Sequence, residues 1–315
     1  MSSAIETSGL VKTYGTVRAL DGLDLEVEEG KVHGFLGPNG AGKTTTIRIL
    51  TGLLKPDQGV ARIFGRDVTS GSGVRTNVGY MPELPSFPAH LTGRELLNIY
   101  GQLYGLGKSE RESQADELLD LVGLENSGDR RIGGYSKGMQ QRLGVAQSLL
   151  GDPDLVIMDE PTAGLDPEGR AEVREVVKQI GEEGETVFLS SHLLEEVEKV
   201  CTHVTIIHRG RGVVSGSVGE ISRRVSEREE IVVEVDELGE KIINSVEKIP
   251  QVRGVNADGN ELTVLTDIGT DIRREVSRTV FQAGGIIIGM REKKKSLEDV
   301  FLELTRGKGR KNERG

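Results

Sequence analysis

Residues Gly37-Pro38-Asn39-Gly40-Ala41-Gly42-Lys43-Thr44 follow G-x-x-x-x-G-K-[ST], the spacing of a loop that wraps phosphate. Its glycines let successive backbone N–H groups turn toward one anion, and the helix that follows adds free N–H groups and the positive end of its dipole. Lys43 is placed to neutralise β and γ phosphates and the Thr44 hydroxyl to ligate Mg²⁺, with Thr45 beside it. At this glycine content chance produces roughly 0.03 such matches in the chain, so the motif is a real signal. A second signal is Leu155-Val156-Ile157-Met158-Asp159-Glu160, an apolar run ending in two acids. Strand neighbours point to opposite faces, so the two carboxylates need not share one task. At the carboxyl edge of a parallel sheet, Asp159 suits the metal and Glu160 suits orienting or deprotonating an attacking water.

These groups need a scaffold of strands that end on one edge. The pattern predicts a strand at 32–36, a helix at 44–54, strands at 59–64, 155–158, 186–189 and 204–208, and a helix at 167–180. That alternation predicts an α/β class with a largely parallel, helix-covered sheet. Between about 91 and 150 the strands give way to helices at 94–104, 109–121 and 138–150, a helical insertion. A polar stretch near 217–230 marks a boundary. Beyond it the order is strand 231–235, helix 238–247, strands 252–256 and 261–266, helix 272–283 and strand 285–290, a βαββαβ order expected to form a small ferredoxin-like α+β domain. An amphipathic segment at 297–304 is expected to pack back as a helix, and the glycine- and charge-rich tail 306–315 to be disordered.

The chain has 315 residues, about two domains' worth, and a formal charge of −10 that disfavours a nucleic-acid surface. Aromatics are 3% with no Trp, which leaves few stacking platforms for single strands, so no nucleic-acid partner is expected. No apolar run approaches the length of a membrane helix, the N-terminus lacks a leader pattern and Cys201 is the single cysteine, so the cytoplasm is expected. His33, His90, His203 and His208 show no metal-ligand spacing, and Cys201 reads as a buried thiol.

Over residues 5–215 the sequence resembles the ATP-binding subunits of ABC transporters. Tyr135-Ser136-Lys137-Gly138-Met139-Gln140-Gln141-Arg142 is similar to that family's signature motif and lies about twenty residues before Asp159. Lys137 and Met139 depart from the usual glycine and glutamine, as in the drug-exporter branch. The resemblance implies a P-loop NTPase core with a helical subdomain at about 91–150, spanning 1–217, a linker at 218–230 and an accessory domain at 231–305. It implies that Ser136 and Gly138 face the γ-phosphate of ATP bound by a second copy, that Asp166 of Ala163-Gly164-Leu165-Asp166 crosses toward that copy, that Tyr14 stacks on adenine, and that His192 senses γ-phosphate. Glu83, after Gly79-Tyr80-Met81-Pro82, stands where the family has a glutamine that contacts Mg²⁺, and the following segment, with exposed Phe87 and Pro88, faces a membrane subunit. The C-terminal Ser296-Leu297-Glu298-Asp299-Val300-Phe301-Leu302 resembles the domain appended to drug-export ATPases; Lys293-Lys294-Lys295 can touch lipid but reads better as a solvated run. The expected function is an ATPase that drives a separate permease at the cytoplasmic face of the membrane, exporting drugs or other hydrophobic compounds by closure of an ATP- and Mg²⁺-bound homodimer. A soluble ABC ATPase acting on DNA or ribosomes, or a regulatory module, is the alternative.

Overall fold

The computed structural model describes residues 2–70, 77–225, 229–267, 269–293 and 296–301, which fall into two compact units, Met1–Val218 and Gly219–Gly315. The first unit opens with β1 (Ser3–Tyr14) and β2 (Val17–Glu28), a long antiparallel pair that the expected element list lacked. The alternation was present in the sequence: Leu23, Leu25 and Val27 are buried while Asp24 and Glu26 face out, the mark of a sheet with one wet face. After β3 (Val32–Leu36), strands β4 (Gln58–Ile63) and β5 (Arg66–Asp67) join this pair in the order β2-β1-β4-β5.

The main sheet adds β6 (Val78–Met81), β7 (Leu155–Asp159), β8 (Thr186–Ser191), β9 (His203–His208) and β10 (Arg211–Ser217), in the order β10-β9-β3-β8-β7-β6. Strands β6, β7, β8, β3 and β9 are parallel and β10 closes one edge antiparallel. Every residue of β3, β7 and β8 is buried, as central parallel strands require. Phe35 and Phe188 meet at 5.4 Å between ring centroids, among Ile47, Leu50 and Ile157. The parallel register brings Leu36 opposite Ser191 and Asp159 opposite Ser190, so three strands deliver their carboxyl ends to one edge.

Helix α1 (Lys43–Leu50) follows the glycine-rich turn and is shorter than the expected 44–54. Thr51 leaves helical geometry and Gly52 takes φ +69°, which ends the helix one turn early. The helical insertion is present as α2 (Gly93–Leu103), α3 (Lys108–Leu121) and α4 (Lys137–Leu149), and α5 (Pro167–Glu182) and α6 (Leu194–Glu198) follow. Thr92 and Glu95 form a reciprocal capping box at the start of α2.

In the second unit, α7 (Val218–Val225) occupies part of the stretch expected as a linker, and its Ile221 is fully buried. Val218, Ile221 and Val225 recur at helical spacing, a signal outweighed in the sequence by the charges around them. Then come β11 (Glu229–Val235), α8 (Glu240–Val246), β12 (Val252–Asp258), β13 (Glu261–Thr266), α9 (Arg273–Ala283) and β14 (Ile287–Lys293). All neighbours are antiparallel in the order β12-β13-β11-β14, the ferredoxin-like arrangement. Ile231, Val233, Leu262 and Val264 pack against Ile242 and Val246 of α8 and Val276 and Val280 of α9. Residues 297–301 are helical, with Ser296 capping the N–H of Asp299 and with Leu297 and Val300 buried. Residues 302–304, Lys294, Lys295 and the tail 306–315 lie outside the described residues.

Candidate active site

The loop Gly37–Lys43 turns between β3 and α1 under tight steric limits. A Cβ at Gly37 would sit 2.4 Å from the Ile207 carbonyl oxygen, and one at Gly42, where φ is +114°, would sit 2.7 Å from that of Ala19. Only glycine lets the backbone lie this close to its neighbours. Gly40 carries φ +79° on the exposed rim with Pro38 and Asn39, while Ala41 is buried under the turn. No side chain caps the start of α1, so its first N–H groups are available to an anion, while within the loop the Gly37 and Ala41 N–H groups are bonded to carbonyls.

Lys43 projects back across the loop. Its Nζ donates to the Gly37 carbonyl at 2.7 Å and pairs with Glu160 Oε1 at 3.1 Å, with both side chains almost wholly buried. A buried ammonium this close to a carboxylate is held by that charge and by the loop carbonyls together. Thr44 and Thr45 are half-buried on the first turn of α1.

Asp159 ends β7 with 1% exposure, and Ser190 Oγ donates to its Oδ1 at 2.6 Å. Glu160 follows in the left-handed region, φ +51°, and its N–H donates to the same Ser190 Oγ at 3.0 Å. Its second carboxylate oxygen accepts from His192 Nδ1 at 2.8 Å and from the His192 N–H at 3.4 Å. One chain of contacts thus runs Lys43–Glu160–His192, from the buried loop to a ring 41% exposed. The P-loop is tied to the same place, since the Gly37 N–H donates to the Ser191 carbonyl at 3.3 Å. Tyr80, on neighbouring β6, has its phenol pKa raised by burial and then by the Asp159 charge.

Lys43, Thr44, Asp159, Glu160 and His192 are thus gathered at one sheet edge, as the motifs require. Tyr14 ends β1 with 46% of its surface exposed, and Glu83 is exposed after β6 with no hydrogen bond or ion pair among the described residues. Ser136, Gly138 and Asp166 line another cleft, with Lys137, Arg142, Gly164 and Glu172. There Ser136 caps α4 by accepting from the Met139 N–H at 3.2 Å, and Asp166 caps α5 by accepting from the Gly169 N–H at 2.9 Å. Lys137 reaches over Gly164: a Cβ on that residue, which has φ +68°, would lie 2.0 Å from the ammonium. In the segment after Glu83, Phe87 is half-buried rather than exposed, whereas Pro88 is exposed and Leu84 is exposed at 69%. In the same segment Pro85 packs on Gly144 of α4. Sequence reasoning missed Ser190 altogether; its only signal was a hydroxyl at the strand end before His192.

Comparison with known proteins gives the following. The family described as ABC transporter matches residues 20–163. The daunorubicin/doxorubicin resistance ATP-binding protein DrrA of Streptomyces peucetius is 46% identical over 219 residues, 69% of this chain and 66% of that protein. The daunorubicin resistance ATP-binding protein DrrA3 of Streptomyces coeruleorubidus is 37% identical over 309 residues, 96% of each chain. A solved ATP-binding subunit of an ABC transporter superposes with TM-score 0.64 at 32% identity, covering 70% of this chain and 92% of that one.

Proposed function

Because this chain belongs to the family of ABC transporter ATP-binding subunits, we propose that it hydrolyses ATP to power a separate membrane permease that exports a drug or another hydrophobic compound. The chain is an ATPase of that family; the exported class is taken from the daunorubicin-resistance relatives. The contact chain Lys43–Glu160–His192 at the mouth of the phosphate loop is the observation that carries the reading. It sets a cation for phosphate, a carboxylate for water and a ring that reports on both within successive hydrogen-bond lengths.

The donor set fits Mg²⁺. Among the described residues there is no cluster of three or more His, Cys, Asp or Glu able to cage a metal. A hard ion that keeps waters and phosphate oxygens needs only one or two protein ligands, and the Thr44 hydroxyl and the buried Asp159 carboxylate supply hard oxygens, with Glu83 a third candidate. Bound there, Mg²⁺ neutralises charge on the triphosphate. The remaining work belongs to the chain. A triphosphate in the loop competes with Glu160 for Lys43, which frees the carboxylate to orient or deprotonate water while His192 keeps its hold on Oε2. Loop amides and Lys43 stabilise the charge that develops on the phosphoryl oxygens. Tyr14 stacks on adenine. Ser136 and Gly138 complete the site of a second copy from the start of α4, and Asp166 reaches across the same interface, so two copies close on two ATP. No helix among the described residues is long and apolar enough to cross a membrane. The likeness to transporter ATP-binding subunits supports a position on the cytoplasmic face, held by a permease.

Glu160→Gln tests the reading. The variant is expected to bind ATP, to lose about 10²–10⁴-fold in kcat, and to accumulate a nucleotide-dependent dimer by sedimentation. Hydrolysis near the wild-type rate would remove Glu160 from its role, and a variant that stays monomeric with ATP would remove the shared site.

A further inference from the structure

Two acids side by side at a strand end need something to set their directions apart, and the sheet register supplies it. Asp159 on β7 lies opposite Ser190 on β8, and both are buried away from solvent. At Glu160 the chain leaves the strand with φ +51°, a conformation that a glutamate adopts only where its surroundings hold it. Two bonds hold it: the Ala163 N–H donates to the Glu160 carbonyl at 3.0 Å, and the Glu160 N–H donates to Ser190 Oγ at 3.0 Å. A serine hydroxyl has one proton to give, and with the Glu160 N–H as donor that proton goes to Asp159 Oδ1, at the 2.6 Å length of a charge-assisted bond. The direction of the relay is therefore fixed: Glu160 N–H to Ser190 O–H to Asp159 carboxylate. One hydroxyl engages Oδ1 of Asp159, leaving Oδ2 for a cation, and anchors the backbone from which the Glu160 side chain projects.

We propose that Ser190 is a positioning residue for hydrolysis, coupling the hold of Asp159 on the metal to the aim of Glu160 at water. The inference rests on the reading of Asp159 and Glu160 given above. It differs from a structural role in what it moves, because a serine that only filled space would leave the Mg²⁺ response of nucleotide binding alone once the protein is folded.

The experiment titrates a fluorescent ATP analogue into wild-type protein, Ser190→Ala and Ser190→Thr, in EDTA and in Mg²⁺, alongside kcat. Ser190→Ala is expected to lose about 10–100-fold in kcat and in the Mg²⁺ enhancement of analogue affinity. Its affinity in EDTA stays within about twofold of wild type, since the loop and Lys43 are untouched. Ser190→Thr, which keeps the hydroxyl, retains the Mg²⁺ enhancement. An alanine variant with both kcat and Mg²⁺ response unchanged overturns the inference, as does a threonine variant that loses the Mg²⁺ response as fully as alanine. Should alanine fail to fold, threonine against the isosteric Ser190→Val decides: a response kept by the first and lost by the second supports the coupling, and equal responses overturn it. Asp159→Asn separates this inference from the reading beneath it. A normal Mg²⁺ response in that variant removes Asp159 from the metal and takes the inference with it; a lost response there, beside an intact one in Ser190→Ala, removes Ser190 alone.

Discussion

Lys43 is engaged by Glu160 and by the loop's own carbonyls, so a lysine and a carboxylate neutralise each other across 3.1 Å of buried space. Separating such a pair without a replacement charge is costly, and under the proposed function the γ-phosphate supplies that charge. Tyr14 is a different kind of residue: exposed, free of strain, and committed to nothing else in the site. Tyr14→Ala is expected to weaken ATP binding by about three- to tenfold, the worth of one aromatic stack, while competition by inorganic tripolyphosphate stays unchanged. Equal ATP affinity in the variant would take Tyr14 out of the adenine site. The members of this cluster were legible one residue at a time, because Lys43, Thr44, Asp159, Glu160 and His192 sit at short, fixed distances from a loop or strand end. Ser190 was not legible, because its partner Asp159 is 31 positions away and only strand pairing makes them neighbours.

Elements position these groups through contacts that tolerate no extra atoms. Strand β6 passes so close to α4 that a Cβ on Gly79 would lie 1.7 Å from the Ser148 carbonyl oxygen, a backbone atom at the last turns of the signature helix. Gly79→Ala must push β6 and α4 apart, and it is expected to destabilise the first unit by about 3 kcal/mol or more by urea unfolding. A change within about 0.5 kcal/mol would show that the two elements can separate freely, as an exposed position would. The periodicities that foretold α2 and α5 are strong because each has one apolar face and a capped start, at Thr92 and Asp166; α4 is marked by its cap at Ser136 and α3 by an acid in its first turn. The long β1–β2 pair escaped notice for the opposite reason. Its β2 alternates over 23–27, but in β1 the buried residues fall in adjacent pairs, Ala4–Ile5 and Leu10–Val11, where the pairing register shifts, so β1 shows no strict alternation to read.

Across the molecule, acid sensitivity should be concentrated in the first unit's sheet. His33 lies in β3 beside β9, with Nε2 at 2.9 Å from Thr205 Oγ1, and burial, followed by the nearby His203, pushes its pKa down to about 3. The unfolded chain binds this proton at the ordinary histidine pKa near 6.5, so between roughly pH 6.5 and 3 the unfolded state holds more protons than the folded one. This contribution to stability is complete above pH 6.5 and falls with acidity by up to about 1.4 kcal/mol per pH unit through that window. His33→Gln is expected to flatten the fall of thermal midpoint between pH 6 and 4; parallel curves for the two proteins would place the acid response elsewhere. What the sequence determined by itself was local: a phosphate loop, a pair of acids, a signature segment and the central strands and longer helices, all set by residue type at short spacing and by hydrophobic period. What only the tertiary structure decided was juxtaposition. Parallel pairing of β3, β7 and β8 brings Leu36, Asp159 and Ser191 to one edge, lets Glu160 lie between Lys43 and His192, and turns Ser190 into a shared partner of both acids. Hydrogen-bond register between distant strands follows from burying whole faces at once, a global constraint that no short stretch of chain records.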